Sequence, residues 1–238
     1  MSIEGKTGII TGASSGIGEG VARELSSGGM NVVVVGRRIA RLEALAGELE
    51  NCVACAGDIN DVTVPQKLID FAVDRFGGCD FVFNSAGIMH VGTIEEADVD
   101  AICRMIRVNV ESATRMAYTA LRHFQQTGSG HLMNVSSILG TKVRPGAGAY
   151  AGTKHSIEAL TEALRMEVAK TDIQVSMIEP GVVETELQNH FPVHPKELLG
   201  ISQPLQPADV ARCVRFMLEQ PPHVRIPVMM VLPGEQPM

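Results

Sequence analysis

Short apolar runs alternate with longer segments of helical periodicity along the whole chain. Six segments predict helices, near 17–28, 38–49, 62–76, 97–126, 150–170 and 208–219. Seven runs predict strands, namely GIIT (8–11), NVVVVG (31–36), CVACAG (52–57), CDFVFN (79–84), HLMNVS (131–136), IQVSMIEP (173–180) and VMMVL (228–232). Strands that are apolar almost throughout are typical of a parallel sheet covered on both faces.

The alternation of strand and helix predicts βαβ units and therefore an α/β fold with a seven-stranded, mostly parallel sheet. No linker, repeat or low-complexity stretch interrupts it, so we expect a single domain over residues 1–238. The segment 186–206 resists assignment and contains prolines at 192, 195 and 204. Long connections in compact domains are commonly functional loops, so we expect a mobile substrate lid there.

Composition excludes several classes of function. The net charge of −7 and pI of about 5.5 argue against a nucleic-acid surface, which needs a clustered basic face. No apolar run approaches the roughly 18 residues of a membrane span, and the chain enters its first strand too early for a signal peptide. Five scattered cysteines favour free thiols in a reducing cytoplasm. We expect a cytoplasmic protein without nucleic-acid or membrane partners.

No metal site is predicted. Cys52 and Cys55 form a C-x-x-C on a predicted strand, where residues three apart point to opposite faces. His190 and His194 have a metal-like spacing, but Pro192 between them would break the helix that aligns them.

A glycine-rich stretch, TGASSGIG, follows the first strand and opens the first helix. Its glycines permit a tight turn whose backbone N–H groups, with the positive end of the helix dipole, can bind a pyrophosphate. The spacing is G-x3-G-x-G rather than G-x-G-x-x-G, and an ordinary turn is the alternative. The predicted cofactor-binding residues here are Gly12, Ser14, Ser15, Gly16, Ile17 and Gly18.

The end of the second strand indicates which dinucleotide would bind. An NAD site needs a carboxylate about 20 residues beyond the glycine loop, to bind the ribose hydroxyls. Residues 25–42 contain no Asp or Glu, and Gly36 stands at that place, followed by Arg37 and Arg38. A guanidinium suits a 2′-phosphate, so we predict NADP(H), with Arg37 as the main ligand and Arg38 as a helper. The alternative is two solvated arginines at a helix start.

The pentapeptide YAGTK places Tyr150 and Lys154 on one helix face, in a chain with only two tyrosines. A free tyrosine titrates near 10. An ammonium about 4 Å away, at an effective dielectric of about 20, supplies roughly 4 kcal/mol, enough to bring the pKa towards 7. Tyr150 would then act as general acid or base, with Ser137 holding the substrate oxygen. A partly buried structural hydroxyl is the alternative.

Taken together, TGASSGIG, NSAG (84–87), Asn109, Ser137 and YAGTK resemble the short-chain dehydrogenase/reductase family over essentially all of residues 5–232. The resemblance implies a single doubly wound Rossmann domain, usually a homotetramer or homodimer. It implies hydride transfer between a nicotinamide and a small-molecule carbonyl or alcohol. The segment IEPG-x-x-x-TEL and the C-terminal sequence are closer to the serine/3-hydroxy-acid dehydrogenase and clavulanate-type branch than to the acyl-carrier-protein reductases.

The resemblance also implies roles for single residues. The catalytic set would be Asn109, Ser137, Tyr150 and Lys154, with Asn109 binding a water that leads to Lys154. Further cofactor-binding residues would be Asp58, Ile59, Asn84, Ala86, Gly87, Tyr150, Lys154, Pro180, Gly181, Val183 and Thr185. Asp58 is open to a second interpretation, as the N-cap of the helix at 62–76. Ser85 and Gly152–Thr153 depart from the usual family residues without affecting the chemistry.

The substrate is not disclosed by the sequence. The predicted substrate-binding residues are Met89, Ser137, Leu139, Arg144 and Tyr150, a mostly apolar set. Arg144 would bind a substrate carboxylate or face solvent. One alternative function is a catalytically silent, cofactor-binding regulatory protein of the same fold, although all four catalytic positions are intact. Another is a dehydratase or epimerase of the extended branch, whose large C-terminal substrate domain this chain lacks.

Overall fold

A computed structural model describes residues 2–191 and 193–237, so Met1, Pro192 and Met238 of the predicted domain and lid lie outside the described residues. All strand pairs are parallel and form one sheet in the order β3-β2-β1-β4-β5-β6-β7. The strands are β1 (Thr7–Thr11), β2 (Asn31–Gly36), β3 (Cys52–Ala56), β4 (Phe81–Asn84), β5 (Ser129–Val135), β6 (Asp172–Pro180) and β7 (Val228–Val231). The predicted α/β fold and seven-stranded sheet are confirmed.

Helices follow the strands as predicted, with one local difference. They are α1 (Gly16–Ser27), α2 (Ile39–Glu48), α3 (Val64–Phe76), α4 (Val99–Ile106), α5 (Ala113–Thr127), α6 (Gly148–Glu167), α7 (Pro195–Leu198) and α8 (Pro207–Leu218). The helix expected near 97–126 is divided, because a π-helical segment, Arg107–Ser112, joins α4 to α5. Such insertions are frequent at functional sites. No helix of the described chain is long and apolar enough to cross a membrane.

The sheet is buried on both faces. In β2, Val32 and Val34 belong to the core beneath α1, α2 and α8, whereas Val33 and Val35 belong to the core beneath α3 and α5. All four valines are buried because successive strand side chains point to opposite faces. The fold therefore requires an apolar side chain at all four valine positions of β2 rather than at alternate ones.

Strand order determines where a ligand can bind. Strands β2 and β3 lie on one side of β1, and strands β4 to β7 lie on its other side, so the strand order switches between β1 and β4. Ligands of such folds bind at the carboxyl ends of the strands beside this switch point. The loops that leave β1, β2, β4, β5 and β6 all meet at this edge.

The segment 186–206 contains short helical turns that the sequence did not predict. It begins with a 3₁₀ turn, Glu186–Gln188, and includes α7. Its far end returns to the sheet, since the backbone N–H of Glu184 donates to Leu205 O at 2.8 Å and that of Leu205 donates to Val182 O at 3.0 Å. Both ends of the predicted lid are thus anchored beside β6.

Candidate active site

A cleft of about 1060 Å³ lies at the carboxyl ends of the strands. Loops from both halves of the sheet line it, as does the segment after β6. Residues from the glycine loop, the end of β2 and the YAGTK motif, far apart in sequence, share this one space. The three predicted motifs therefore meet in one cleft.

The glycine loop lies directly against the loop after β4. A Cβ on Gly12, whose φ is +69°, would come within 2.9 Å of Ala86 Cα, and one on Gly18 within 2.6 Å of Gly12 O. Thr11 Oγ1 accepts hydrogen bonds from the backbone N–H groups of Ser85 (3.0 Å) and Ala86 (3.1 Å). Only glycine fits such a close approach. The loop fits the pyrophosphate of a dinucleotide, because it leads into the N-terminus of α1.

At the end of β2, Arg38 contacts the glycine loop and Arg37 does not. The Arg38 guanidinium donates to Ser14 Oγ (3.0 Å) and Ser15 Oγ (2.6 Å) of the glycine loop, and also to Glu186. Arg37 lines the cleft, but no ion pair or side-chain hydrogen bond ties it to the described residues. A Cβ on Gly36 would lie 3.5 Å from Ser14 Oγ, an ordinary contact. Which of the two arginines binds a 2′-phosphate stays a prediction.

Tyr150, Ser137 and Lys154 lie together at the floor of the cleft. Helix α6 begins at Gly148, so its first turns carry Tyr150 and Lys154 beside the end of β5. The Ser137 hydroxyl hydrogen-bonds to the Tyr150 oxygen and also accepts from the backbone N–H of Leu139 at 3.1 Å. Lys154 Nζ donates to Val135 O at 2.8 Å. The small residues before Tyr150 leave its ring facing the cleft, which it lines.

The expected lowering of the Tyr150 pKa is not found. Burial raises the pKa of Tyr150 to about 12, and the hydrogen bond from Ser137 opposes this only partly. Lys154 Nζ lies 5.8 Å from the centroid of the Tyr150 ring and donates a hydrogen bond to Val135 O. Burial lowers the pKa of Lys154 to about 8, against the opposing charge of Glu158. Burial is therefore the largest cause of the pKa shift in both groups.

Asn109 belongs to the π-helical segment, and its side chain is buried. Its Nδ2 donates to Ile88 O (2.8 Å) and Thr153 Oγ1 (3.3 Å), and its Oδ1 accepts from the backbone N–H of Ile88 (2.9 Å). Asn109 thus joins the loop after β4 to α6, one residue before Lys154. The predicted water at Asn109 stays a prediction.

Two acidic side chains, not singled out from the sequence, lie behind Lys154. Glu179, at the end of β6, is only 3% exposed. Burial and the neighbouring Glu158 of α6 raise the pKa of Glu179 to about 7. Glu158 Oε1 and Ser136 Oγ are buried without a hydrogen-bond partner among the described residues. A Cβ on Gly140 would come within 2.4 Å of both oxygens, so this polar cluster depends on that glycine.

Two predicted cofactor ligands have other local partners. Asn84 is not among the residues that line the cleft, and its buried Nδ2 donates to Ala113 O (2.9 Å) and Asn134 Oδ1 (3.1 Å). Its role in cofactor binding stays a prediction. Asp58 lines the cleft, and its Oδ1 accepts from the backbone N–H of Asn60 at 3.0 Å. The alternative of Asp58 as an N-cap is excluded, because the N-cap of α3 is Thr63.

The segment after β6 is held from the C-terminal tail. Gln236 Oε1 accepts from the backbone N–H of Val182 at 2.8 Å, and a Cβ on Gly181 would overlap this side chain. Thr185 Oγ1 accepts from the backbone N–H of Leu187 at 3.4 Å, at the start of the 3₁₀ turn. Gln236 was not predicted, and nothing in the local sequence indicates that the tail returns to the cleft.

The remaining part of the cleft is mostly apolar. Met89, Leu139 and Tyr150 pack in one cluster with Leu187 and Phe191, which the sequence placed in the lid without a role. Arg144 lines this part of the cleft, and no ion pair or side-chain hydrogen bond joins it to another described residue. The rings of His90 and His190, both lining the cleft, are 5.6 Å apart.

Nearly all predicted site residues line this one cleft. They are Gly12, Ser14, Ser15, Gly16, Ile17, Gly18, Arg37, Arg38, Asp58, Ile59, Ala86, Gly87, Met89, Asn109, Ser137, Leu139, Arg144, Tyr150, Lys154, Pro180, Gly181, Val183 and Thr185. Residues 2–191 and 193–237 contain no group of three or more His, Cys, Asp or Glu side chains able to hold a metal.

The family description for short chain dehydrogenases matches residues 6–195, well over half of the chain. The chain belongs to the short-chain dehydrogenase family. An uncharacterised oxidoreductase of Staphylococcus aureus is 35% identical over 231 residues, which cover 96% of this short-chain dehydrogenase and 97% of the relative. The chain is accordingly an oxidoreductase of this family, as the resemblance implied.

Solved structures show the same fold with either nicotinamide cofactor. A 3-ketoacyl-(acyl-carrier-protein) reductase from Brucella melitensis, complexed with NADH, has a TM-score of 0.90 at 31% identity and covers 98% of this short-chain dehydrogenase and 99% of its own chain. The closed form of a serine dehydrogenase complexed with NADP+ has a TM-score of 0.91 at 26% identity. The match covers 98% of this short-chain dehydrogenase and 96% of the serine dehydrogenase chain. The two neighbours differ in cofactor and activity, so the branch within the family stays a prediction.

Proposed function

We propose that the protein is an NADP(H)-dependent oxidoreductase that interconverts a small or medium alcohol with its ketone or aldehyde. The observation that carries the proposal is the Tyr150 hydroxyl, hydrogen-bonded by Ser137 at the floor of a large cleft, with Lys154 one helical turn away. Although Tyr150 is only 6% exposed, it lines the cleft beside a serine and a lysine, an arrangement that a purely structural hydroxyl does not require. The intact set also disfavours the catalytically silent alternative.

The chain's own residues account for the proton transfer. With its pKa raised to about 12, the Tyr150 hydroxyl is protonated at neutral pH, the form that donates to a carbonyl oxygen during reduction. Ser137 would hold the same oxygen by a second hydrogen bond. Lys154, whose pKa lies near 8, is predominantly charged at pH 7 and would stabilise the negative charge that develops as Tyr150 gives up its proton.

The nicotinamide cofactor, when bound, supplies or accepts the hydride. The glycine loop and the N-terminus of α1 would hold its pyrophosphate, and Pro180, Gly181, Val183 and Thr185 would hold its carboxamide. Arg38, fixed by Ser14 and Ser15, would bind the 2′-phosphate, and Gly36 leaves no carboxylate to oppose that charge. The preference for NADP(H) rests on these contacts.

The segment 186–206 is proposed to be a lid over cofactor and substrate. It contributes Leu187, His190 and Phe191 to the cleft lining, and both of its ends are anchored beside β6. Hydrogen exchange with and without NADPH and an inhibitory substrate analogue is the test. We expect greater protection of this segment in the complex, and equal protection in both states would contradict a lid.

The reaction can be tested by following NADPH oxidation with panels of aldehydes, ketones, keto acids and keto esters. We expect turnover with at least one class and its loss in Tyr150→Phe. Binding of NADPH without turnover of any class would instead support the silent alternative. A response restricted to keto acids and lost in Arg144→Ala would assign Arg144 as the ligand of a substrate carboxylate. Assembly as a homotetramer or homodimer and a cytoplasmic location are proposed with this function and need separate measurement.

A further inference from the structure

Glu186 joins the lid segment to the arginines at the end of β2. Its Oε2 accepts from Arg38 Nη1 and its Oε1 from Arg41 Nη1, each at 2.6 Å. The carboxylate follows the segment Pro180–Thr185, and the arginines stand at the start of α2. Glu186 and Arg38 both line the cleft. The contact therefore crosses the cleft from the proposed carboxamide-binding side to the proposed 2′-phosphate side.

The same guanidinium serves two kinds of partner. Arg38 donates from Nε to Ser14 Oγ and from Nη2 to Ser15 Oγ, which fixes it against the glycine loop beside Gly36. This is the place where dinucleotide folds distinguish a ribose 2′-hydroxyl from a 2′-phosphate. Its third interaction is with the carboxylate of Glu186. The group best placed for a 2′-phosphate is thus already paired with an anion of the chain.

The charges make the two anions competitors. A phosphate monoester carries about −1.5 to −2 charges at pH 7 and binds arginine through two parallel hydrogen bonds. Its approach to Arg38 would be opposed by Glu186, which the two arginines keep ionised by holding the pKa of its carboxyl near 2. The three side chains are 43–52% exposed, so their ion pairs are screened by water and can exchange for another anion.

We propose that Glu186 is a cofactor-selecting residue, which competes with the 2′-phosphate of NADP(H) for Arg38 and so narrows the preference for NADP(H) over NAD(H). This inference rests on the proposed cofactor site. NAD(H), which has no 2′-phosphate, leaves the Glu186 pairs undisturbed. NADP(H) must displace the carboxylate from Arg38.

Calorimetric dissociation constants for NADPH, NADH and 2′,5′-ADP test the proposal in the wild type, Glu186→Gln and Glu186→Ala. The matched control is Glu184→Gln, two residues away, whose carboxylate pairs with Lys196 and does not line the cleft. We expect both Glu186 variants to bind NADPH and 2′,5′-ADP about three- to tenfold more tightly, with NADH changed by less than about twofold. The control should match the wild type for all three ligands.

Unchanged or weaker binding of NADPH by the Glu186 variants would overturn the proposal. Equal tightening of NADPH and NADH would also overturn it, because the competition would then be with the pyrophosphate that both cofactors share. Failure of the proposed cofactor site has a different signature. In that case the wild type and the Glu184→Gln control would themselves fail to bind NADPH, or would bind NADH more tightly.

Discussion

The two ends of the cleft hold charge in different ways. At the catalytic end, formed by Asn109, Ser137, Tyr150 and Lys154, the side chains are between 3% and 9% exposed. Burial there raises the pKa of Tyr150 and lowers that of Lys154. At the arginine end, formed by Arg38, Arg41 and Glu186, side chains are about half exposed and held by ion pairs. Proton transfer needs the first environment, and exchange of one anion for another needs the second.

The largest expected effect is at the catalytic end. Tyr150→Phe keeps the ring and removes the transferable proton, so kcat should fall by about 10²- to 10⁴-fold with the Kd for NADPH changed by less than about twofold. Tyr118→Phe is the matched control, because Tyr118 is the only other tyrosine and is exposed on α5. Steady-state kinetics with NADPH titrations measure both quantities. Retention of more than about a tenth of the wild-type kcat would show that Tyr150 is a structural hydroxyl.

At the arginine end, cofactor preference should reverse in Gly36→Asp combined with Arg38→Ala. An aspartate fits at position 36, where a Cβ makes an ordinary contact with Ser14 Oγ, and it would repel a 2′-phosphate while binding ribose hydroxyls. Loss of the proposed charge-assisted hydrogen bond from Arg38 to the 2′-phosphate should lower kcat/KM for NADPH by a further factor of about 10 to 100.

Arg37→Ala is the comparison for that double variant, since Arg37 lines the same cleft without contacting the glycine loop. We expect it to change the preference less than Arg38→Ala alone does. A larger effect of Arg37→Ala would restore the assignment made from sequence, with Arg37 as the main 2′-phosphate ligand.

Behind the catalytic end, Glu179 should make the stability of the fold depend on pH. Because its pKa is raised in the folded state to about 7, its contribution is complete below the unfolded value of 4.5 and is lost as the pH rises through 7. The free energy of unfolding of the wild type should therefore fall about 1–3 kcal/mol more between pH 5 and pH 8 than that of Glu179→Gln.

Urea unfolding at several pH values between 5 and 8 measures this difference. Glu162→Gln, which removes an exposed α6 carboxylate paired with Arg165, should keep the wild-type pH dependence. Parallel curves for wild type and Glu179→Gln would mean that Glu179 titrates normally and that the polar cluster at Gly140 is solvated.

The smallest expected effect is that of ionic strength on NADPH binding. Raising NaCl from 50 to 500 mM should weaken NADPH binding by about threefold, because the arginine end is exposed, and kcat at saturating NADPH should change little, because the catalytic end is buried. Equal salt dependence of both quantities would remove the distinction between the two ends.

Much of the fold followed from local pattern. The run NVVVVG had to be a strand buried on both faces, and the strand–helix alternation required a parallel sheet. Most strand bounds in the structure agree with the predicted ones within two residues. The π-helical segment at Arg107–Ser112 was not predictable, because it inserts one residue into an otherwise continuous helical pattern and is stabilised by contacts from other elements, such as Asn109 with Ile88.

By itself the sequence determined which chemistry was available: a glycine loop at a helix start, a tyrosine and lysine one turn apart, and arginines in place of a carboxylate. Those signals depend on neighbours within a few residues. Only the tertiary structure decided that Arg38 rather than Arg37 contacts the loop, that burial raises the Tyr150 pKa, and that Glu186 shares the arginines. Each of these depends on residues far apart in the chain, 148 positions in the case of Arg38 and Glu186, and on the exclusion of water. Contacts between distant residues and the exclusion of water cannot be inferred from local residue spacing.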